Sequence, residues 1–244
     1  MHDVSLVIPA LDEAESIGGV VSAALALGIG EAIVVDNGST DATAPTARAA
    51  GARVVSEPRR GYGRACAAGV AAVRPGARAI AFLDGDGSDV PSALADLARI
   101  VLEDRADFAI GSRTRGIRER KSLSALQFVA GRTAGFLVGI CFGTRYTDMG
   151  PQRVIGRSAL ARLPMSEETY GWNLQMQILA ARAKLRIVEL PVPHRCRCGG
   201  ESKVSGNLRA AWVATFRIAL VFSRNLLTAP SKGDRARPLP QQAE

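Results

Sequence analysis

Ala79-Ile80-Ala81-Phe82-Leu83-Asp84-Gly85-Asp86 is the stretch on which the reading of this chain turns. A short apolar run closed by a turn is the pattern of a buried strand. Asp84 and Asp86 then stand where that strand leaves the sheet. Carboxylates that close together repel, and a cation between them relieves the repulsion. One or two carboxylates plus phosphate oxygens is the usual setting of Mg2+. By itself Asp-x-Asp also fits an ordinary acidic turn, because turns favour Asp and Gly. The flanking sequence decides between the two.

Upstream, residues 4–8, 32–35 and 52–56 read as strands, and 106–110 as another downstream. Helical patterns at 14–27, 40–50, 61–73 and 91–103 alternate with them. That alternation predicts an α/β fold with a mainly parallel sheet and helices on both faces. Ligands in such sheets bind beyond the carboxyl ends of the strands. Those ends carry Pro9, Asp36, Asp84 with Asp86, and Gly111-Ser112-Arg113. The second half is less regular. A mostly apolar helix is expected over 123–142 with Arg132 in its middle, a short strand and helix over 154–163, a helix over 172–183 and a strand over 186–190. Residues 198–206 read as a Gly- and Ser-rich loop, and 229–244, with three prolines, as a disordered tail.

The bulk composition bounds the rest. At 244 residues with 47% hydrophobic residues, the chain suits one large domain, or one domain with an appendage. It opens on a strand-like segment, so no signal peptide is expected. No apolar stretch reaches the roughly 18–20 residues of a spanning helix. Cys66, Cys141, Cys196 and Cys198 lack zinc-ribbon spacing and read as reduced thiols of a cytoplasmic protein. The net charge of +8 is unevenly placed: residues 1–110 hold 9 Lys/Arg against 15 Asp/Glu, and 111–244 hold 22 against 8. The basic half should attract phosphates or acidic lipid. Aromatics at 5%, without basic–aromatic interleaving, argue against nucleic acid.

Several further segments complete a pattern: Ile8-Pro9-Ala10-Leu11-Asp12-Glu13, Val34-Val35-Asp36-Asn37-Gly38-Ser39-Thr40-Asp41, Arg60-Gly61-Tyr62-Gly63, Asp84-Gly85-Asp86-Gly87-Ser88-Asp89-Val90-Pro91, Gly111-Ser112-Arg113, Asp148-Met149-Gly150-Pro151 and Arg197-Cys198-Gly199-Gly200-Glu201-Ser202-Lys203. In this order and spacing they resemble a family 2 glycosyltransferase, of the polyprenol-phosphate (dolichol-phosphate) hexosyltransferase type. The resemblance spans roughly residues 4–206 and implies the nucleotide-sugar-binding α/β fold called GT-A. It implies a donor half over 1–110 and an acceptor half over 111–206. It places Pro9, Leu11, Glu13, Asp36 and Ser39 at the donor nucleotide, a GDP- or UDP-hexose. Asp84, Gly85 and Asp86 would face the ribose, the diphosphate and a divalent ion, Mg2+ or Mn2+, with Asp84 and Asp86 as metal ligands. Arg197 and Lys203 would lie on a loop closing over the diphosphate. Mobile cations and a metal suit a leaving group that gains negative charge as the glycosidic bond breaks.

The acceptor is read from the other half. In lipid-phosphate relatives the positions of Arg113 and Arg132 hold the acceptor phosphate, a task that suits a permanently charged, bidentate guanidinium. Arg132 interrupts an apolar segment, where an unpaired charge is costly; a packed stem with its head in water is the other reading. A phosphate acceptor is ionised at neutral pH and attacks without a protein base. A hydroxyl acceptor needs one. Where many relatives have a carboxylate, after Gly171-Trp172, this chain has Gln175 and Gln177; Asp148, Glu167 or Glu168 would have to serve. Gln152 stands where relatives usually have an aromatic. The expected function is therefore an inverting transfer of hexose from a nucleotide sugar to polyprenyl phosphate, with Asp86, Arg113, Arg132 and Asp148 as catalytic groups. The alternatives are a hydroxyl acceptor and a nucleotide-binding protein without turnover.

An amphipathic helix is expected over 207–228. At about 100° per residue, Arg209, Arg217 and Arg224 fall within about 80° of one another beside Trp212, Phe216 and Phe222. This suits contact with the inner membrane surface and a peripheral location on its cytoplasmic face. With Arg115, Arg118, Arg120 and Lys121 a basic surface could gather there. Docking on the protein's own core, or on a second copy in a homo-oligomer, fits the helix equally.

Overall fold

The computed structural model describes residues 1–198 and Phe222. Apart from Phe222, which packs against Phe142 with ring centres 6.1 Å apart, the helix expected over 207–228 lies outside the described residues, as do the tail over 229–244 and Lys203.

Seven strands form one sheet: β1 (Val4–Ala10), β2 (Glu31–Asp36), β3 (Arg53–Ser56), β4 (Ala79–Phe82), β5 (Phe108–Ser112), β6 (Arg153–Gly156) and β7 (Ile187–Pro191), in the order β3-β2-β1-β4-β6-β5-β7. All pairings are parallel except those of β6, which runs antiparallel between β4 and β5. The expected mainly parallel sheet is therefore present, and the turned strand has a consequence for the site. Its first residue, Arg153, pairs with Phe82 and Ile110 at the very end of the sheet where the parallel strands finish. The residues leading into it, 148–152, thus reach the carboxyl ends of β4 and β5 from the second half of the chain.

Helices α1 (Ile17–Leu25), α2 (Thr43–Ala49), α3 (Tyr62–Ala71), α4 (Leu94–Leu102), α5 (Ala125–Phe142), α6 (Arg157–Ala161) and α7 (Trp172–Arg182) complete the described part. The central strands are apolar on both faces because both are covered. Val7, Ile33, Ile80 and Phe82 pack on α3 and α7, while Leu6, Ile8, Val34 and Leu83 pack on α1 and α4. Each such side chain contributes about 1.5–3 kcal/mol by leaving water. Helix α1 starts later than the expected residue 14 because residues 12–14 are drawn into loop contacts: Asp12 takes a left-handed φ of 53°, and Glu13 and Ala14 donate their amides to Thr43 and Asp41.

Helix α5 decides between the two readings of Arg132. Its inward face is made of small residues, Gly131, Ala134, Gly135 and Val138, which let it approach Tyr146 and α7 closely. A Cβ on Gly135 would collide with the Tyr146 carbonyl. Its large apolar residues point outward: Val129 is 58%, Phe136 54% and Ile140 65% exposed. Arg132 shares this outer face. It is exposed, with its guanidinium 5.7 Å from the Phe128 ring centre, so it is not a charge trapped in an apolar interior.

Candidate functional site

Loops at the carboxyl ends of β1, β2 and β4 build one wall of a cleft. Ser39 Oγ accepts from the Asp12 amide at 3.0 Å, and Asp12 Oδ1 accepts from the Thr40 amide at 2.8 Å, so the loops after β1 and β2 brace each other. Asp36 Oδ1 accepts from the Ser39 amide at 3.0 Å, which closes the turn after β2. Pro9 is buried in β1, with Leu11 and Glu13 half-buried beyond it. Asn37 is a buried node. Its amide donates to the carbonyls of Glu57 and Arg59, and its Oδ1 accepts from the Gly61 amide at 2.7 Å. That hold fixes the start of α3, and with it Tyr62.

The acidic turn sits at the centre. Tyr62 donates its phenol to Asp84 Oδ1 at 3.0 Å. Asp86 Oδ1 accepts from both the amide and the hydroxyl of Ser88, at 2.9 and 2.6 Å. Ser16 donates to the Gly85 carbonyl at 2.7 Å, tying the turn to α1. Burial, and then the charges of Asp86 and Asp89, push the Asp84 carboxyl well above the usual carboxylate range. A group raised by like charge is one that a cation stabilises in its ionised form. The donor set of two neighbouring carboxylates therefore fits a divalent ion. Among the described residues no group of three His, Cys, Asp or Glu converges on a metal position. A cation here would take its other ligands from phosphate and water, as Mg2+ commonly does.

Arg197 reaches this centre from the segment after β7. Its Nη2 lies 2.6 Å from Glu13 Oε1 and 3.7 Å from Asp86 Oδ2. The sequence expectations for Asp84, Gly85, Asp86, Glu13 and Arg197 thus converge on one place. Sequence reasoning gave no role to Tyr62, Asn37 or Ser16; the signal available was that Tyr62 and Asn37 stand inside two of the quoted motifs.

The opposite wall comes from β5 and the 148–152 segment. Arg113 clamps Asp148 through Nε at 2.8 Å, Nη2 at 2.9 Å and its own amide at 2.9 Å. Burial works against the Asp148 charge, but the hydrogen bonds and charge of Arg113 outweigh it and hold the carboxyl below its usual range. Asp148 is accordingly the anchor of Arg113, and its engaged carboxylate does not stand ready as a base. Beneath the clamp, Arg153 is wholly buried and donates to the carbonyls of Gly150, Pro151 and Asn173. It organises the segment that carries Asp148, a role not visible from the motif.

The two glutamines are structural. Gln175 Oε1 accepts from the Ser166 and Glu167 amides, and its Nε2 donates to Ser166 Oγ. Gln177 donates to the Asp148 carbonyl at 3.0 Å. Glu167 accepts from Thr169, and Glu168 pairs with Arg64 at 2.5 Å. Gln152 donates to the Val90 carbonyl, joining the 148–152 segment to the acidic turn. Helix α5 meets the clamp at Gly131, whose α-carbon faces Asp148 Oδ1 closely enough that a Cβ would stand 3.6 Å from it. Arg132 is the next residue, on the outer face, and is not brought into contact with Arg113.

This fold and this cleft define a nucleotide-sugar transferase architecture, and comparison with known proteins agrees. Residues 5–163 match the model for glycosyl transferase family 2, and the chain belongs to that family. It is 38% identical over 221 residues to an uncharacterized glycosyltransferase of Mycobacterium tuberculosis, covering 86% of this chain and 94% of the other. It is 30% identical over 200 residues to a dolichyl-phosphate hexose transferase of Haloferax volcanii, covering 81% and 85%. Among solved structures it is similar to glucosyl-3-phosphoglycerate synthase of M. tuberculosis in complex with phosphoglyceric acid, with a TM-score of 0.74 at 22% identity over 94% of this chain and 81% of that one. The same synthase has been solved with Mn2+, uridine diphosphate and glucosyl-3-phosphoglycerate. The expected GT-A fold is therefore the fold observed.

Proposed function

We propose that this glycosyltransferase moves a hexose, with inversion, from a nucleoside-diphosphate sugar to a polyprenyl phosphate at a membrane surface. Asp84 and Asp86 would hold Mg2+ or Mn2+, which when bound neutralises charge on the diphosphate. Pro9, Leu11, Glu13, Asp36 and Ser39 line the wall offered to the nucleotide. Arg197, already beside Asp86, stands where a departing diphosphate gains charge. The acceptor oxygen attacks the anomeric carbon from the face opposite the diphosphate. The bond from that carbon to the diphosphate oxygen breaks, and its electron pair leaves with the nucleotide.

The observation that carries the lipid-phosphate reading is the placement of α5. Its inward residue Gly131 rests on Asp148, which clamps Arg113. Its outer face presents Val129, Phe136, Leu137 and Ile140 with Arg132 among them, and Arg118 lies over Phe128 at 5.1 Å. An exposed apolar face bearing cations beside a phosphate-binding arginine suits an apolar chain with an anionic head. The relative that uses dolichyl phosphate supports the same acceptor class. An ionised phosphate needs no base, in keeping with the engaged states of Asp148, Glu167 and Glu168. No helix of the described residues is long and apolar enough to cross a membrane.

A second reading has its own support. The likeness to a synthase solved with phosphoglyceric acid favours a small phosphate-bearing metabolite with a hydroxyl nucleophile. Arg113 serves either acceptor, since both carry a phosphate. Transfer of labelled hexose to short-chain polyprenyl phosphate, set against transfer to phosphoglycerate, separates the two.

A further inference from the structure

Beyond the donor and acceptor walls, one buried pair has entered only through the charge that Asp89 exerts on Asp84. His194 and Asp89 are 4% and 1% exposed. His194 Nδ1 lies 3.4 Å from Asp89 Oδ1. Among the described residues neither oxygen of Asp89, nor Nδ1 of His194, has a hydrogen-bond partner. A carboxylate this deep is costly unless opposing groups answer it; the imidazole is the ring lying against it, and the Arg113 guanidinium acts on it through space.

The backbone around the pair is stitched on both sides. The Arg195 amide donates to the Ser88 carbonyl at 2.8 Å and the Cys198 amide to the Asp86 carbonyl at 3.0 Å. On the other side the His194 amide donates to Ile117 and the Glu119 amide donates to the His194 carbonyl. The Cys196 amide donates to Glu119 Oε2 at 2.8 Å. Residues 192–198 therefore lie as a strap between the acidic turn and the 117–119 segment, and Arg197 is carried on that strap.

We propose that His194 is a positioning residue. Seated on Asp89, it holds the strap across the 86–89 turn and thereby sets where Arg197 stands over Glu13 and Asp86. Without the imidazole the Asp89 carboxylate loses the ring that lies against it and keeps only the through-space charge of Arg113, and the turn and strap separate to let water reach it. Arg197 then leaves its place for most of the time. The consequence for nucleotide binding rests on the donor-site reading above; the strap itself does not.

The test compares the full chain with two variants, His194→Phe and the double variant Asp89→Leu with His194→Phe. Two quantities are measured: hydrogen exchange of the Glu119, Arg195 and Cys198 amides, and calorimetric binding of UDP and of GDP with Mn2+. His194→Phe should speed exchange at these amides while those of β1 and β4 keep their protection. If the closed strap falls to about a tenth of the population, the apparent nucleotide Kd rises about tenfold. The double variant no longer buries the Asp89 carboxylate and should return both quantities toward wild type. Unchanged exchange in the single variant would overturn the proposal. So would weakened Mn2+ binding in both variants with the strap still protected, which would make the imidazole a metal ligand. Should the single variant not fold, the double variant decides: folded with the three amides protected supports the strap, folded with them exposed overturns it. If the wild type binds neither nucleotide, the donor-site reading fails, and the exchange measurement still judges the strap.

Discussion

The guanidinium of Arg113 is fixed edge-on by the carboxylate of Asp148, Nε to Oδ2 at 2.8 Å and Nη2 to Oδ1 at 2.9 Å, with Asp148 only 2% exposed in its side chain. A guanidinium has five N–H donors, so the clamp orients it and leaves donors for an incoming anion. Asp148→Ala should cost about 3–5 kcal/mol of stability, because it strands a buried cation. The milder Asp148→Asn should fold and should raise the acceptor KM more than the donor KM. Equal changes in both would argue that the clamp is only structural.

The same pair predicts a pH dependence. The Asp148 carboxyl is held below its ordinary range by Arg113. A depressed acid contributes stability that is fully present above its unfolded value, about 3.9, and that is lost as the pH falls through the lower folded value. Urea unfolding followed from neutral pH down into this acid range should show wild-type stability falling more steeply than that of Asp148→Asn. Parallel curves would contradict the assignment.

Asp86 tests the donor centre. Asp86→Ala removes one of two adjacent carboxylates and the acceptor for Ser88, without opening the core. Turnover should drop by at least about 10²-fold, as for loss of a group acting where charge develops, with the melting transition retained. Activity within a few fold of wild type would remove Asp86 from the metal site.

Gln175 tests the support beneath the site. Its side chain caps two amides of the 166–167 segment, whose neighbouring carbonyls crowd Gly61 and Gly63 so closely that a Cβ on either would collide. Gln175→Ala should cost about 1–3 kcal/mol for the stranded groups, measured by denaturant unfolding. Gln175→Glu should give no gain in transfer to a hydroxyl acceptor; a clear gain would revive the base lost at this position.

The outer face of α5 tests membrane contact. Phe136→Glu with Ile140→Glu should lower sedimentation with anionic liposomes and use of lipid phosphate, while slow donor hydrolysis is kept. Arg132→Ala should act in the same direction. Unchanged sedimentation would assign this face to another partner.

Much of this arrangement was legible in the sequence. The alternation of short apolar runs with helical stretches gave β1 to β5 and their order of use, and the polar residues after them marked the cleft. Two things were not legible. Hydropathy finds an apolar helix but not which face is buried, and in α5 small residues pack inward while Phe136 and Ile140 face out. Arg132 therefore left two readings open, a charge in an apolar interior or a packed stem with its head in water, and it stands on the surface. Likewise Arg153, Asp89 and His194 draw their roles from neighbours distant in sequence: Arg153 from the reversal of β6, the pair from a strap that returns more than a hundred residues after the acidic turn. Local pattern carries no signal for such contacts.

The most direct test of the central claim is transfer of label from a panel of nucleotide sugars to short-chain polyprenyl phosphate with Mg2+ or Mn2+, scored as label entering the organic phase. Label from one donor, abolished by EDTA and by Asp86→Ala, is the predicted result and names the sugar at once. Transfer to phosphoglycerate with no label in the lipid phase would contradict the lipid-phosphate acceptor.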